Sequence, residues 1–262
     1  MRILITGAGR AIGAATATEL SRAGHEVVAT ARDESLLGGL DVVQRLCLDV
    51  TDDDSVRRAM DEAGELDAIV NNAAIQQKTP LEEFPVEKLK LMFETNVIGA
   101  FRVIKQVLPS WRRRRSGVIV NVSSVQGRVA TPLEGPYSSS KYALEAMSES
   151  LHYEVGHFGI RVVIIEPGYI SPGMKPTSPI DREGVYRELY EQWESAESTV
   201  TGPGGRTGPE VVACAIRSAI EDPATPLRVP VGHDAVLVLG VRSASDDAAF
   251  EATMRSTLGL TW

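Results

Sequence analysis

The sequence predicts an α/β fold: a single domain built on a doubly wound parallel sheet of about seven strands, with helices on both faces. Short β-branched, apolar runs alternate with helical patterns along the 262 residues. These runs are apolar throughout, as expected for strands that are covered on both faces. A glycine-rich turn separates the first run from the first helical pattern. Because no repeat or linker divides the chain, we expect one domain over 1–262 rather than two smaller ones.

Four strands and three helices are predicted in the first part of the chain. The strands span residues 2–6, 26–31, 42–48 and 66–70. The helices span residues 12–23, 52–62 and 86–111. Gly24 closes the first helix, acidic residues open the second, and Pro85 precedes the third.

The remaining elements are predicted around a segment of different composition. Strands are expected at 117–122, 160–165 and 227–231, and helices at 137–157, 209–220 and 244–255. Residues 171–181 and 201–209 are rich in Pro, Gly, Ser and Thr, and they flank a helical pattern at 185–194. Tyr186, Tyr190 and Trp193 form an aromatic stripe on that helix. The stripe is either internal packing or part of a substrate lid at about 170–207, and we favour the lid.

Composition and charge exclude several classes of protein. A net charge of −8 argues against a nucleic-acid binder. Cys47 and Cys214 lie far apart, and His152 and His157 have no other ligand at metal spacing, so neither disulfides nor a metal site is expected. No apolar run approaches the roughly 20 residues of a membrane span. With no signal-peptide pattern at its start, the chain is expected to be cytoplasmic, without a membrane partner.

The first turn reads TGAGRAIG at residues 6–13, between the first predicted strand and the first helix. Glycines in this position let backbone amides approach a pyrophosphate at the positive end of the helix. The alternative is a tight turn with no ligand. Because both the strand before and the helix after are present, we predict a dinucleotide site of the Rossmann type.

The end of the second strand indicates which dinucleotide is bound. Ala31 occupies the position where NAD enzymes place an acid, and Arg32 follows it. Arg32 and Arg10 suit a 2′-phosphate through forked, charge-assisted hydrogen bonds. Asp33, about 20 residues beyond the glycines, would instead suit NAD(H). We interpret it as an outward-facing helix cap, so NADP(H) is preferred and NAD(H) is the second choice.

A serine, a tyrosine and a lysine form the predicted reaction centre. Tyr137 and Lys141 stand four residues apart at the start of a helix, so they share one face. Ser124 follows the apolar strand 117–122. These groups can polarise a carbonyl and donate a proton to it, provided that the ammonium lowers the phenol pKa from its usual value of about 10. The alternative is a surface helix that happens to carry Tyr and Lys.

These residues together resemble the short-chain dehydrogenase/reductase family in its compact form. The resemblance covers nearly the whole chain to Gly168 and is looser beyond. It includes the glycine turn, with Ala11 in place of the middle glycine, and NNAA at residues 71–74, where the family has Asn-Asn-Ala-Gly. Pro172 stands where the family has a threonine, five positions after Pro167.

The resemblance implies the site residues and their roles. With the two arginines, the expected cofactor-binding residues are Gly7, Gly9, Arg10, Ala11, Ile12, Gly13, Arg32, Asp49, Val50, Asn72, Ala73, Ala74, Tyr137, Lys141, Pro167, Gly168 and Ile170. Tyr137 is expected to exchange the proton, Lys141 to hold the nicotinamide ribose and lower the phenol pKa, and Ser124 to donate to the developing alkoxide. Asn96, on the long helix, is expected to hold a water that links the lysine to solvent.

The expected function is an NADP(H)-dependent oxidoreductase that interconverts a ketone and a secondary alcohol. A lid would favour a bulky, apolar or cyclic substrate, polyketide-like or steroid-like. The substrate-contact candidates are Gln126, Glu134, Tyr169, Tyr186, Tyr190 and Trp193. Two alternatives remain: a catalytically silent nucleotide-binding regulator, and a dehydratase or epimerase on the same fold. By resemblance, the long helix and the Tyr137 helix are expected to pair into a homodimer or homotetramer.

Overall fold

A parallel sheet of seven strands lies at the centre of the chain, in the order β3-β2-β1-β4-β5-β6-β7. The computed structural model describes residues 1–175, 183–201 and 205–262, and this strand count refers to those ranges. The strands are β1 Arg2–Ile5, β2 Glu26–Ala31, β3 Gln44–Cys47, β4 Ala68–Asn71, β5 Gly117–Val122, β6 Ile160–Pro167 and β7 Arg228–Val231. Every neighbouring pair is parallel. The predicted doubly wound α/β fold is therefore confirmed.

Helices cover both faces of this sheet. They are α1 Ala11–Arg22, α2 Asp53–Ala63, α3 Val86–Phe93, α4 Gly99–Arg114, α5 Gly135–Gly156, α6 Arg187–Thr201, α7 Pro209–Glu221, α8 His233–Ala244 and α9 Asp247–Leu258. One apolar core joins the sheet to α1 and α7, and the other joins it to α2, α4 and α5. Val118 and Val120 of β5 belong to the first core and Ile119 to the second. Both faces of the strand are buried, which explains its continuous apolar sequence.

The predicted helix 86–111 contains a π-helical turn, Glu94–Ile98, between α3 and α4. The Asn96 side chain bonds both backbone groups of Ile75: Oδ1 accepts from the Ile75 N–H at 2.8 Å, and Nδ2 donates to the carbonyl at 3.0 Å. Because these bonds come from a distant segment, helical periodicity alone did not predict the turn. The helix continues through Pro109 to Arg114, three residues beyond the predicted end.

The carboxyl-terminal region differs from the prediction. A single helix at 244–255 was expected, and the structure has α8 and α9, which meet near residue 245. The Asp246 side chain accepts a hydrogen bond from the Ala249 N–H at 2.8 Å, so it caps the start of α9. The third strand is also shorter than the predicted 42–48.

The sheet places a crevice at the carboxyl ends of β1 and β4. These neighbours are where the strand order reverses, and ligands of doubly wound folds bind there. The predicted insertion 170–207 begins and ends close by: the Ser171 N–H donates to the Thr207 carbonyl at 2.9 Å, and the Thr207 N–H donates to the Tyr169 carbonyl at 3.0 Å. Residues 176–182 and 202–204 of this insertion lie outside the described residues.

Candidate active site

The turn between β1 and α1 brings three backbone segments into close contact. Asn72 Nδ2 donates to the carbonyls of Thr6 at 3.0 Å and Gly7 at 3.1 Å. A Cβ atom on Gly13 would lie 2.7 Å from that amide nitrogen and 2.9 Å from the Cα of Ala8, and would also contact the Gly7 carbonyl. Only glycine at position 13 therefore allows the helix to start so close to the strand.

Thr6 ties this turn to the segment after β4. Its hydroxyl oxygen accepts from the N–H groups of Asn72 at 3.0 Å and Ala73 at 3.1 Å. Sequence reasoning placed Thr6 in the motif but not among the site residues. Its position as the last residue before the glycine turn was the available signal.

Ala11 adopts a left-handed backbone conformation with φ of +45°. For a residue with a Cβ atom this costs about 1 kcal/mol. Ala11 lines a cavity that extends from the glycine turn to Tyr137, so its methyl group leaves the crevice open.

Arg10 and Arg32 are exposed and line the outer end of this cavity. Asp33 also lines it, but its carboxylate accepts from the Ser35 hydroxyl at 2.6 Å and the Ser35 N–H at 3.0 Å. The bond from the Ser35 hydroxyl, and to a smaller extent the bond from the Ser35 N–H, lower the Asp33 pKa. Asp33 thus caps a short 3₁₀ turn, Glu34–Leu37, as the sequence analysis expected, but it lines the cavity instead of facing away from it.

The inner end of the cavity carries Ser124, Tyr137 and Lys141. Ser124 follows β5, and the other two lie on the first turns of α5. Lys141 Nζ donates to the Val122 carbonyl at 2.8 Å and lies 5.7 Å from the centre of the Tyr137 ring. The Ser124 hydroxyl donates to the Pro167 carbonyl over 3.5 Å, a weak bond that leaves it able to turn toward a ligand.

Burial perturbs the two titratable groups of this trio in opposite directions. Burial raises the pKa of the Tyr137 phenol, Glu134 raises it further, and a hydrogen bond with Ser124 lowers it. Burial lowers the pKa of Lys141 to about 8, although the negative charge of Glu145 acts to raise it. The sequence analysis expected Lys141 to lower the phenol pKa, but burial and Glu134 hold that pKa above its usual value. The phenol is therefore protonated at neutral pH, and the lysine is close to the range in which it can exchange a proton.

Asn96 lies behind this trio and does not line the cavity. It is 2% exposed, and its Nδ2 donates to the Ser140 hydroxyl at 3.0 Å. That hydroxyl in turn donates to the Tyr137 carbonyl at 2.7 Å. Ser140, which sequence reasoning missed, therefore links the π-helical turn to the helix that carries Tyr137 and Lys141.

The cavity measures about 610 Å³, within the range of small-molecule sites. All the predicted cofactor-binding residues except Gly13 line it, and Gly13 supports the turn from behind. Of the substrate candidates, Gln126, Glu134 and Tyr169 line it. Further lining residues that the sequence analysis did not name include Ile75, Gln76, Lys78, Met174, Glu194 and Arg206.

The three aromatic residues of the stripe lie elsewhere. Tyr190 is 5% exposed and Trp193 is 2% exposed, in a cluster with Leu133 and Leu258, and Tyr186 packs against its edge. In the described part of the chain, the contribution of α6 to the cavity is Glu194. Of the two interpretations of the stripe, this position favours packing for Tyr190 and Trp193.

A partly buried ionic cluster lies beyond Lys141 along α5. Arg228 of β7 contacts Glu145 at 2.9 Å, Glu149 at 2.7 Å and Glu166 at 3.9 Å. Burial raises the pKa of Glu166 to about 7, and the nearby Glu145 adds to this. The cluster joins α5 to the ends of β6 and β7, next to the lining residues Pro167 and Gly168.

Among residues 1–175, 183–201 and 205–262, no group of three or more His, Cys, Asp or Glu side chains is arranged to hold a metal ion. Cys47 and Cys214 are both free and exposed. In the same ranges, no helix has the length and apolar character needed to cross a membrane.

Comparisons with known proteins agree with this arrangement. A family model described as short chain dehydrogenase matches residues 1–183. The chain is 34% identical to a 3-ketodihydrosphingosine reductase of Bacteroides thetaiotaomicron, over 93% of this chain and 91% of that protein. It is 35% identical to retinol dehydrogenase 8 of Bos taurus, over 72% of this chain and 69% of that protein. A crystal structure of a short-chain dehydrogenase from Streptomyces avermitilis superposes with a TM-score of 0.84 and 32% identity, covering 100% of this chain and 99% of that one.

Proposed function

The chain belongs to the short-chain dehydrogenase family, and from that premise we propose that it is an NADP(H)-dependent ketoreductase. It transfers a hydride between the nicotinamide cofactor and a ketone or secondary alcohol. The observation that carries this proposal is the convergence of Ser124, Tyr137 and Lys141 on a cavity whose other end is formed by the glycine turn. The same crevice therefore contains side chains that can bind and protonate a carbonyl oxygen and a glycine turn that can bind a dinucleotide.

The cradle fits a dinucleotide because of its glycines. Gly7 has a φ of +67°, and a Cβ atom there would lie 3.0 Å from the Cα of Ala73. These positions leave backbone amides at the start of α1 free to face a pyrophosphate. At the outer end, Arg10 and Arg32 support a 2′-phosphate, while the Asp33 carboxylate is engaged by Ser35. This charge distribution favours NADP(H) over NAD(H).

The chain's residues then divide the reaction between them. The bound cofactor supplies or accepts the hydride. The Tyr137 hydroxyl donates its proton to the carbonyl oxygen, or takes one from the alcohol. Lys141, already held by the Val122 carbonyl, lies below the ring and stabilises the phenolate. The Ser124 hydroxyl donates to the same substrate oxygen. Asn96 orients α5 through Ser140. By resemblance to the family, Asn96 is also proposed to take part in the route by which a proton reaches solvent.

The proposed substrate is a bulky, largely apolar ketone. Ile75, Ile170 and Met174 line the cavity near the reactive groups. Two relatives are named for 3-ketodihydrosphingosine and for retinol, compounds that are mostly hydrocarbon. Gln126 and Tyr169 are the proposed contacts for polar parts of the substrate, and residues 170–207 are the proposed cover within a single domain.

We also propose that the chain works as a homodimer or homotetramer. Phe101 of α4 is 45% exposed, and Ile98 is 39% exposed. A groove between α4 and α5 is lined by Ile104, Leu108, Met147 and Leu151. A second copy that packs on this surface would bury it, which makes size determination in solution the direct check.

Tyr137→Phe tests the proposed chemistry. Oxidation of NADPH by a panel of apolar ketones should fall by at least about a thousandfold, while the cofactor dissociation constant stays within about threefold. Tyr142→Phe, on the exposed side of the same helix, is the matched control and should retain full activity. Equal turnover by Tyr137→Phe and the parent would disprove the role of the phenol. Tight cofactor binding without turnover in any of the three proteins would point to a nucleotide-binding regulator.

A further inference from the structure

A buried carboxylate lies beside the proposed proton donor. Glu134 immediately precedes α5, three residues before Tyr137, and is only 1% exposed. Both residues line the same cavity. Side chains three residues apart at the start of a helix are neighbours, so the carboxylate and the phenol share one environment of low dielectric constant.

Side chains from two other segments fix the position of this carboxylate. Gln76 Nε2 donates to Glu134 Oε1 at 2.6 Å, and Gln126 Nε2 donates to Oε2. Gln126 is itself held by the Ser138 hydroxyl, which donates to its Oε1 at 2.7 Å. Lys78 Nζ lies 3.8 Å from Oε1. Since the carboxylate is covered and bonded to the chain's own amides, its influence on the reaction is through its charge rather than through contact with substrate.

The charges around Tyr137 come from few places. Among the residues the structure describes, α5 contributes Lys141 and the position before the helix contributes Glu134, while the segment after β4 contributes Lys78. Tyr137 also has a hydrogen bond with the uncharged Ser124. The apolar side chains that share a cluster with Tyr137 are Ile75, Phe84, Leu89, Met92 and Met174. Glu194 and Arg206 line the same cavity from α6 and from the segment before α7.

We propose that Glu134 is a positioning residue that sets the pH at which Tyr137 changes from proton donor to proton acceptor. This inference rests on the proposed function and deepens it. A fixed negative charge beside the phenol disfavours phenolate, whereas Lys141 favours it. Burial and Glu134 together hold the pKa of Tyr137 above its usual range. Glu134 does not change the equilibrium between ketone and alcohol. The pH profiles of ketone reduction and of alcohol oxidation are therefore shifted by the same amount.

The kinetic test compares pH profiles of kcat/KM for alcohol oxidation, which requires phenolate. In Glu134→Gln, the rising limb should move about one unit to lower pH, because a neutral amide no longer repels the phenolate. Lys78→Gln should move the limb to higher pH, since the counter-charge of Glu134 is lost. Glu154→Gln removes an exposed carboxylate from the same helix and should leave the profile unchanged.

A spectroscopic test separates this inference from the proposed function. The near-ultraviolet absorbance of phenolate is titrated with saturating NADP⁺, as the difference between each protein and its Tyr137→Phe counterpart. This readout needs no substrate. A shift in the midpoint of the phenolate titration, together with no turnover of any ketone, would disprove the ketoreductase proposal but support the role of Glu134. An unmoved midpoint in a folded Glu134→Gln protein overturns the inference. If that variant does not fold, Lys78→Gln decides, and an unmoved midpoint there has the same meaning.

Discussion

Gly13→Ala should damage both the stability of the chain and its cofactor cradle. The added Cβ would lie 2.7 Å from Asn72 Nδ2 and 2.9 Å from the Cα of Ala8, and it would collide with the Gly7 carbonyl. Two of these neighbours are backbone, so the start of α1 must shift. Overpacking of this kind costs about 1–3 kcal/mol, and the better helix propensity of alanine returns at most about 1 kcal/mol. A net loss of about 1–2 kcal/mol lowers the melting temperature by about 2–8 °C.

Thermal unfolding and cofactor titration measure the two effects. A shifted turn also displaces the backbone amides, so NADPH should bind at least about tenfold more weakly. Gly240→Ala on α8 is the matched control, because, apart from its chain neighbours and the nearby backbone of its own helix, no atom lies within 4 Å of its added Cβ. That variant should gain about 0.5–1 kcal/mol of stability and bind NADPH normally. A Gly13→Ala protein as stable as the parent, with unchanged NADPH affinity, would refute the close approach of α1 to Gly7 and Asn72.

Two further predictions concern charged residues. Arg32→Asp should weaken the binding of NADPH relative to NADH by about ten- to a hundredfold in direct titrations. The control Arg112→Asp, at the end of α4, should leave this preference unchanged. An unchanged preference in Arg32→Asp would mean that the 2′-phosphate binds elsewhere. Arg228→Met leaves Glu145 without its guanidinium and leaves Glu166 with only Arg128, at 3.5 Å. We expect this to cost about 3 kcal/mol near pH 8. Since the pKa of Glu166 is raised to about 7, the folded chain holds this proton below pH 7. The free energy of unfolding therefore falls as pH rises from about 5 to 7, and it falls more steeply in the variant. Urea unfolding measured across that pH range should show this difference. If the stability lost in Arg228→Met were the same at every pH, the role of Glu166 would be contradicted.

The sequence analysis succeeded where local pattern and burial coincide. The run Gly117–Val122 is apolar throughout because both of its faces are buried, and its predicted bounds are those observed. The spacing of Tyr137 and Lys141 places both on one helix face regardless of tertiary context, and both line the cavity. The Asp33 cap was also readable locally, because its partner Ser35 is two residues away.

The failures occur where a distant partner decides the structure. Asn96 forms its bonds to Ile75, 21 residues earlier, so the helical pattern gave no indication of the π-helical turn. Gln76 reaches Glu134 across 58 residues, and only the fold brings the two together. By contrast, α8 was missed altogether, because residues 233–243 were given no helix. The helix predicted at 244–255 corresponds to α9 but was started three residues too early, although Asp246 is an ordinary local cap.

The π-helical turn lets the continuous helix formed by α3 and α4 pack against two different parts of the structure. A turn of this kind contains one residue more than an α-helical turn, so the side chains after it are rotated by roughly 100° relative to an unbroken helix. Met92, before the turn, packs on the Tyr137 ring, whereas Val103 and Val107, after it, face the sheet. A one-residue deletion within Glu94–Ile98 would produce a more regular helix in which these two surfaces could no longer be satisfied together. The number of residues between α3 and α4 therefore has to include the extra residue of the π-helical turn. Insertions or deletions there should be far less tolerated than substitutions.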